Sequence, residues 1–228
     1  MESKFKSTTV LDLLFQAAKT TPSKTYCKSA DHELSYQNFI GACIKLSKKI
    51  SNKKIKNEQI AILLPNSILF LISYFAVLIS GNRPALLNYL LPDVALSKLL
   101  ENLEPSLLIS DKAIPERDNM IVKIEDYLDI EATVISGVDF RCESSDVGAI
   151  LFSGGTTGIP KQINHSHRCI THMVDRMEWG WPTKRNEKWL VVAPFTHIYG
   201  FLTGVTNPLL KSGTVFIYEG FDPSLVIE

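Results

Sequence analysis

Ten consecutive residues, Phe152-Ser153-Gly154-Gly155-Thr156-Thr157-Gly158-Ile159-Pro160-Lys161, gather the groups in this chain best suited to gripping an anion. Gly154, Gly155 and Gly158 admit positive φ and close backbone approach, so successive N–H groups can converge on one set of oxygens as a nest. Ser153, Thr156 and Thr157 add hydroxyl donors, Lys161 adds a full positive charge, and Pro160 stiffens the exit. Hydrogen bonds to a charged oxygen contribute about 1.5–3 kcal/mol each, so about four or five of them suit a polyphosphate. A Gly/Thr surface turn has the same composition, and composition alone leaves that reading open. No Gly-Lys pair closes a Walker loop and no G-x-G-x-x-G fingerprint is present, which removes support for kinase-like and Rossmann-type readings.

A second candidate lies 36 residues beyond Lys161, where Ala193-Pro194-Phe195-Thr196-His197-Ile198-Tyr199-Gly200 sets His197 between two aromatic residues. Without further context, a histidine after a strand is more readily a satisfied structural group than a catalytic one. His32, His165, His167 and His172 show no metal-ligand spacing with Cys or carboxylates and receive no role; no metal site is expected. Cys27, Cys43, Cys142 and Cys169 form no Cys-x-x-Cys pair, which points to reduced thiols and a cytoplasmic protein.

The elements that must position these groups follow from periodicity. Val10, Leu13, Leu14, Ala17 and Ala18 mark an amphipathic helix with Thr9 as N-cap and Asp12 in capping-box position. A strand pair is expected within residues 25–34, then a helix capped by Ser35 with Phe39, Ile40, Cys43, Ile44 and Ile50 facing the core. Lys48, Lys49, Lys53, Lys54 and Lys56 read as the solvated end of that helix. From Gln59 onward short apolar runs alternate with helices, the pattern of β-α-β units: strands at 60–64, 84–87 and 106–110, with helices at 66–80 and 93–102. Asn66 is assigned as cap of the first of these helices. Ile68 to Ile79 is apolar on nearly every side, which suits a helix packed inside the layers; its 12 residues fall short of the ~20 that span a bilayer.

Residues 111–146 carry many acids and no strong period, so a connecting segment is expected there, with a candidate strand at Thr133–Ile135. Strands at 147–152 and 162–165 then flank the Gly/Thr loop, and Ser166 caps a helix bearing Ile170, Met173, Val174 and Met177. Trp179-Gly180-Trp181-Pro182 reads as a helix terminus packed on the core. Strands at 189–193 and 214–218 flank a helical stretch at 199–210, and Asp222-Pro223-Ser224 resembles a helix start. Its 228 residues are 45% hydrophobic, with 24 Lys+Arg balancing 24 Asp+Glu, which excludes disordered and fibrous classes and gives no electrostatic footprint for nucleic acid.

The ten-residue segment resembles the phosphate-binding signature of the adenylate-forming superfamily: acyl-CoA synthetases, aryl-CoA ligases, luciferases and peptide-synthetase adenylation domains. Its usual form is aromatic, Thr/Ser, Ser, Gly, Ser/Thr, Thr, Gly, x, Pro, Lys, Gly. Gly154 departs where Ser is most common, and Gln162 departs where the closing Gly is usual. The segment at 193–200 is similar to the Pro-x-x-His-x-x-Gly of acyl- and aryl-CoA ligases, in which the His lies beside the acyl-adenylate and the residue matching Tyr199 walls the acid pocket. Peptide-synthetase domains carry a Phe-Asp-x-Ser at about this distance. No carboxylate lies between Pro194 and Gly200, so an α-amino substrate is disfavoured. Leu64-Pro65-Asn66-Ser67 and the stretch 81–88 extend the likeness upstream.

The resemblance implies an α/β fold of mostly parallel sheets with flanking helices. It also implies an ATP-dependent carboxylic acid:CoA ligase that forms an acyl-adenylate and then an acyl thioester with coenzyme A or a carrier-protein thiol, using Mg²⁺. Ser153, Gly154, Gly155, Thr156, Thr157, Gly158 and Lys161 would hold the nucleotide's phosphates; His197 would be catalytic and, with Tyr199, border the acid. Residues 1–228 are expected to form part of the large N-terminal AMP-binding domain, with a candidate subdomain boundary within 111–146, no small C-terminal domain, and poor turnover alone. A non-catalytic nucleotide- or acyl-CoA-binding module is the alternative.

Overall fold

Thr9 starts the first helix as its sequence requires. In the computed structural model, which describes residues 8–114, 119–128, 142–153 and 160–218, α1 (Val10–Thr20) opens on a closed capping box. The Asp12 N–H donates to Thr9 Oγ1 at 3.1 Å, and the Thr9 N–H donates to the Asp12 carboxylate at 2.7 Å. Ser35 caps α2 (Tyr36–Ser51) and Ser166 caps α5 (His167–Gly180) through single side-chain bonds of 3.2 and 3.1 Å. Lys48 and Lys49 occupy the last turn of α2, where positive charge offsets the exposed carbonyl end.

The strands form two sheets, both mostly parallel. Six strands, β3 (Gln59–Leu63), β4 (Arg83–Leu86), β5 (Leu107–Ser110), β6 (Asn119–Ile121), β7 (Val147–Ser153) and β8 (Lys161–Ser166), lie in the order β6-β5-β3-β4-β7-β8. All neighbours are parallel except β7 and β8, which form an antiparallel hairpin. A second sheet, in the order β2-β1-β10-β9, joins β1 (Thr25–Lys28) and β2 (Glu33–Ser35) to β9 (Lys188–Val191) and β10 (Thr214–Ile217). Here β1 pairs with β10 in parallel, setting Cys27 opposite Val215.

Alternation along the strands feeds two cores. Ala61, Leu63, Ala85, Leu87, Leu108 and Ile150 pack with Leu96, Leu99, Leu100 and Leu103 of α4 (Asp93–Leu103). The opposite set, Ile60, Ile62, Leu86, Leu107, Ile109 and Leu151, joins the larger core with α1, α2 and α3 (Ile68–Ile79). Every α3 residue from Ile68 to Leu78 is buried, which is why its sequence carries no polar face. Among the described residues no helix is long and apolar enough to cross a membrane.

The structure corrects several expectations. Ser67, not Asn66, caps α3, its Oγ accepting the Phe70 N–H at 3.1 Å. Trp179 and Trp181 do sit at the end of α5, but they are 75% and 71% exposed instead of packed on the core. The segment 111–146 contains the short strand β6 and a 3₁₀ turn at Ile124–Tyr127. Residues 133–135 and 222–224 lie outside the described residues.

Buried tyrosines tie layers together. The Tyr74 hydroxyl on α3 donates to the Gly148 carbonyl at 3.0 Å, at the point where the β7/β8 register shifts and Gly148 is left over by the ladder. Burial pushes the Tyr74 phenol well above its usual range, so it remains a donor at all ordinary pH. Tyr74→Phe strands that buried carbonyl. The expected loss is about 1–2 kcal/mol, read as a lower urea midpoint with an unchanged denaturant slope.

Candidate functional site

The carboxyl ends of parallel strands are where an open α/β sheet leaves a crevice for ligands. The described residues of both sequence candidates lie there, Ser153 and Lys161 at the end of β7 and His197 beyond β9. Ser153 is the last residue of β7 and Lys161 the first of β8, and the register sets them directly opposite each other. The two strands that the Gly/Thr segment joins thus end side by side, with a hydroxyl residue at the end of one and a lysine at the start of the other. Lys161 is exposed and Ser153 half-buried. Gly154, Gly155, Thr156, Thr157 and Gly158 lie outside the described residues. Gln162, the departure from the usual Gly, is accommodated as an exposed strand residue whose amide donates to Asn164 at 2.9 Å.

The second candidate follows β9. After Val191 the chain runs through Ala193–His197 into α6 (Ile198–Phe201), then through a π-helical segment at Leu202–Thr206 into α7 (Asn207–Leu210). A wide turn of this kind inside a helical stretch is costly and recurs at functional sites. His197 caps α6: its Nδ1 accepts the Tyr199 N–H at 3.3 Å, so in this arrangement the neutral ring carries its proton on Nε2. His197 and Tyr199 are exposed, with Tyr199 at 56%, so both can border a ligand rather than fill the core.

Three contacts hold this loop. Phe195 is fully buried with its ring 5.2 Å from that of Phe70 on α3. Gly200 lies so close to the preceding turn that a Cβ there would sit 2.2 Å from the Pro194 carbonyl oxygen. Asn66, three residues beyond the end of β3, spans the loop with its amide: Nδ2 donates to the Ala193 carbonyl at 2.9 Å and Oδ1 accepts the Phe195 N–H at 2.8 Å. The carboxyl ends of β3 in one sheet and β9 in the other thus meet at the His197 loop.

The structure brings His197 into backbone contact with Tyr199 and pairs Ser153 with Lys161. Sequence reasoning missed Asn66 as part of this region. The signal was present only as the Asn66-Ser67 doublet, two residues competing for one cap. Among the described residues no group of three or more His, Cys, Asp or Glu is gathered to hold a metal ion. His167 proves to be structural, its buried ring accepting the Val10 N–H at 3.2 Å.

The profile of the AMP-binding enzyme family matches residues 14–227. The chain belongs to that family. Among AMP-binding enzymes it is 25% identical over 225 residues to the 2-succinylbenzoate–CoA ligase of Bacillus licheniformis, covering 94% of this chain and 46% of that protein. It is likewise 25% identical over 263 residues to the long-chain-fatty-acid–CoA ligase of Bacillus subtilis, covering 94% of this chain and 47% of the relative. The fold matches the o-succinylbenzoate CoA synthetase (MenE) of Bacillus subtilis in complex with its acyl-adenylate intermediate, with a TM-score of 0.81, 19% identity, and coverage of 95% of this chain and 58% of that one. The same enzyme in complex with ATP and magnesium ion matches with a TM-score of 0.81 and 18% identity, over 94% of this chain and 59% of that one. The chain spans about half the length of the curated relatives it matches.

Proposed function

We propose that the chain serves an ATP-dependent carboxylic acid:CoA ligase. An acid carboxylate attacks the α-phosphate of ATP, giving an acyl-adenylate and releasing pyrophosphate. A thiol, of coenzyme A or a carrier protein, then attacks the acyl carbonyl and AMP leaves. Chemistry of this kind depends chiefly on positioning and on charge placed where it develops. The observation that carries the reading is the β7/β8 register, which sets Ser153 against Lys161 at the two ends of the Gly/Thr loop. A hydroxyl and an ammonium flanking that loop suit phosphate oxygens. On the same reading Thr156, Thr157 and the amides of Gly154, Gly155 and Gly158 complete the cradle, and Mg²⁺ supplies charge neutralisation as the nucleotide's own counter-ion.

His197 takes the place beside the reacting acyl phosphate. With Nδ1 occupied by the Tyr199 N–H, its Nε2–H is the group that can donate to a carboxylate or phosphate oxygen. Tyr199, exposed next to it, forms one wall of the acid pocket. Residues 1–228 are on this reading part of the N-terminal AMP-binding domain, with a subdomain boundary within 111–146. A cytoplasmic setting belongs to the same reading, and the four cysteines are free thiols. No observation favours a non-catalytic module.

Lys161→Ala tests the phosphate assignment. Removing one charge-assisted contact from an exposed position is expected to weaken binding of ATP·Mg²⁺ about tenfold, measured by isothermal titration, with the salt dependence of binding reduced. Equal affinity in the two proteins sinks the assignment.

A further inference from the structure

Asn66 follows β3 on the six-stranded sheet, yet both partners of its side chain lie 127 and 129 residues away on the loop after β9. The orientation of the amide is determined by those partners, because a carbonyl can only accept and an N–H can only donate. Flipping the group would set like against like at both contacts. The helix that begins beside it does not need Asn66, since Ser67 already caps α3. Phe70, one turn on, holds the same loop through the Phe195 ring. Two residues of one helix entry, a polar clamp and an apolar contact, therefore grip the short segment that ends at His197.

We propose that Asn66 is a positioning residue for His197. It pins Ala193 and Phe195 so that the turn into α6 holds the imidazole with Nδ1 on the Tyr199 N–H and Nε2 presented to the reacting acyl group. The second half of this statement rests on the ligase reading; the first does not. In energetic terms the clamp replaces the water that the Ala193 and Phe195 backbone groups would otherwise bind. It restricts the loop at two points flanking Pro194, so the residues between the clamp and α6 have few arrangements left. Fixing a reactive group in this way before substrate arrives removes a reorganisation step from the reaction.

The test compares Asn66→Ala, Asn66→Asp and Ser67→Ala in the full chain. In Asn66→Ala, hydrogen exchange at the Phe195 amide is expected to quicken about tenfold. The His197 ring-nitrogen resonances should move toward those of a histidine in water as the Tyr199 N–H bond is lost. Ser67→Ala removes the α3 cap and is the matched control, destabilising the same place without touching the clamp. It should leave the His197 resonances where they are. Asn66→Asp keeps an acceptor for Phe195 but loses the donor to Ala193, so it should protect the Phe195 amide while still shifting His197; it also serves if the alanine variant fails to fold.

Binding of benzoyl and decanoyl sulfamoyl adenosine, stable mimics of an acyl-adenylate, gives the functional arm. Wild-type binding with about tenfold weaker binding by Asn66→Ala supports the whole proposal. Wild-type binding with equal binding by the variant overturns the role toward the acyl group. Unchanged Phe195 exchange and His197 resonances in Asn66→Ala, or equal shifts in Ser67→Ala, overturn the clamp. If the wild type binds neither mimic, the role toward the acyl group is overturned for this chain, and exchange and resonance data still decide the clamp.

Discussion

Alanine at position 200 is expected to cost about 2–3 kcal/mol and to dislodge the turn that carries His197. The added methyl would stand 2.2 Å from the Pro194 carbonyl oxygen and 2.7 Å from both the Ala193 oxygen and the Pro194 carbonyl carbon. All three are backbone atoms, so no side chain can swing aside, and either α6 or the 193–194 peptide must move. The same turn is closed by the His197 N–H to the Pro194 oxygen at 3.0 Å and by the Phe201 N–H to the His197 oxygen at 2.8 Å, and displacement weakens both. Gly180→Ala supplies the contrast, since a Cβ there meets nothing within 4 Å. Urea unfolding of the two variants should separate them clearly, with Gly180→Ala within about 0.5 kcal/mol of wild type. Similar midpoints for Gly200→Ala and wild type would show that the close approach does not exist.

The second large effect concerns acid. Burial pushes the His167 imidazole down to about 4 from an ordinary 6.5, against the opposing pull of the Asp146 and Asp12 carboxylates. Its Nδ1 is also committed as acceptor to the Val10 N–H, and Gly148 packs so tightly that a Cβ would lie 2.9 Å from that same nitrogen. In the unfolded chain the ring takes up a proton near pH 6.5, whereas the folded chain resists until about 4. The unfolded state therefore binds more protons across that window, and stability falls as pH drops through it. Nothing is lost above pH 7, where the ring is neutral in both states. The full loss, reached below about pH 4, is about 3 kcal/mol, of which about 2 kcal/mol accrues by pH 5 while most carboxylates are still ionised. Urea unfolding at pH 7.5 and 5.0 should show that difference for wild type and a much smaller one for His167→Gln. Parallel pH profiles for the two proteins would rule out His167 as the source.

What could be read from the chain beforehand was what neighbours decide. Thr9 with Asp12, Ser35 and Ser166 announced three helix starts because a cap and its partner lie within three residues. The fully apolar α3 announced burial on all sides. The Gly/Thr loop after a buried strand and the His197 segment were visible as motifs, and their resemblance to adenylate-forming enzymes led to the right family. What could not be read was decided at a distance. Asn66 and Ser67 are equally good caps by residue type, and only a loop 127 residues further on determines which of them is used. Strand β6 has three residues and a partly exposed face, too little alternation to register. The exposure of Trp179 and Trp181 defeats any rule that sends aromatic residues inward. Gly200 was seen as a motif letter, while the reason for it, a backbone atom at contact distance, belongs to the folded turn.

The pairing of β1 with β10 has a consequence for how this polypeptide is made. Cys27 waits for Val215, so the small sheet stays incomplete until nearly all of the described sequence has left the ribosome. At about 5–20 residues per second that interval lasts roughly 10–40 s. Throughout it the first hairpin displays an unmatched row of amides and carbonyls to its surroundings. A nascent chain stalled between the helices of the six-stranded sheet and β10 is thus the species most in need of a chaperone, and slowing translation over that stretch should lower the soluble yield more than slowing it anywhere earlier.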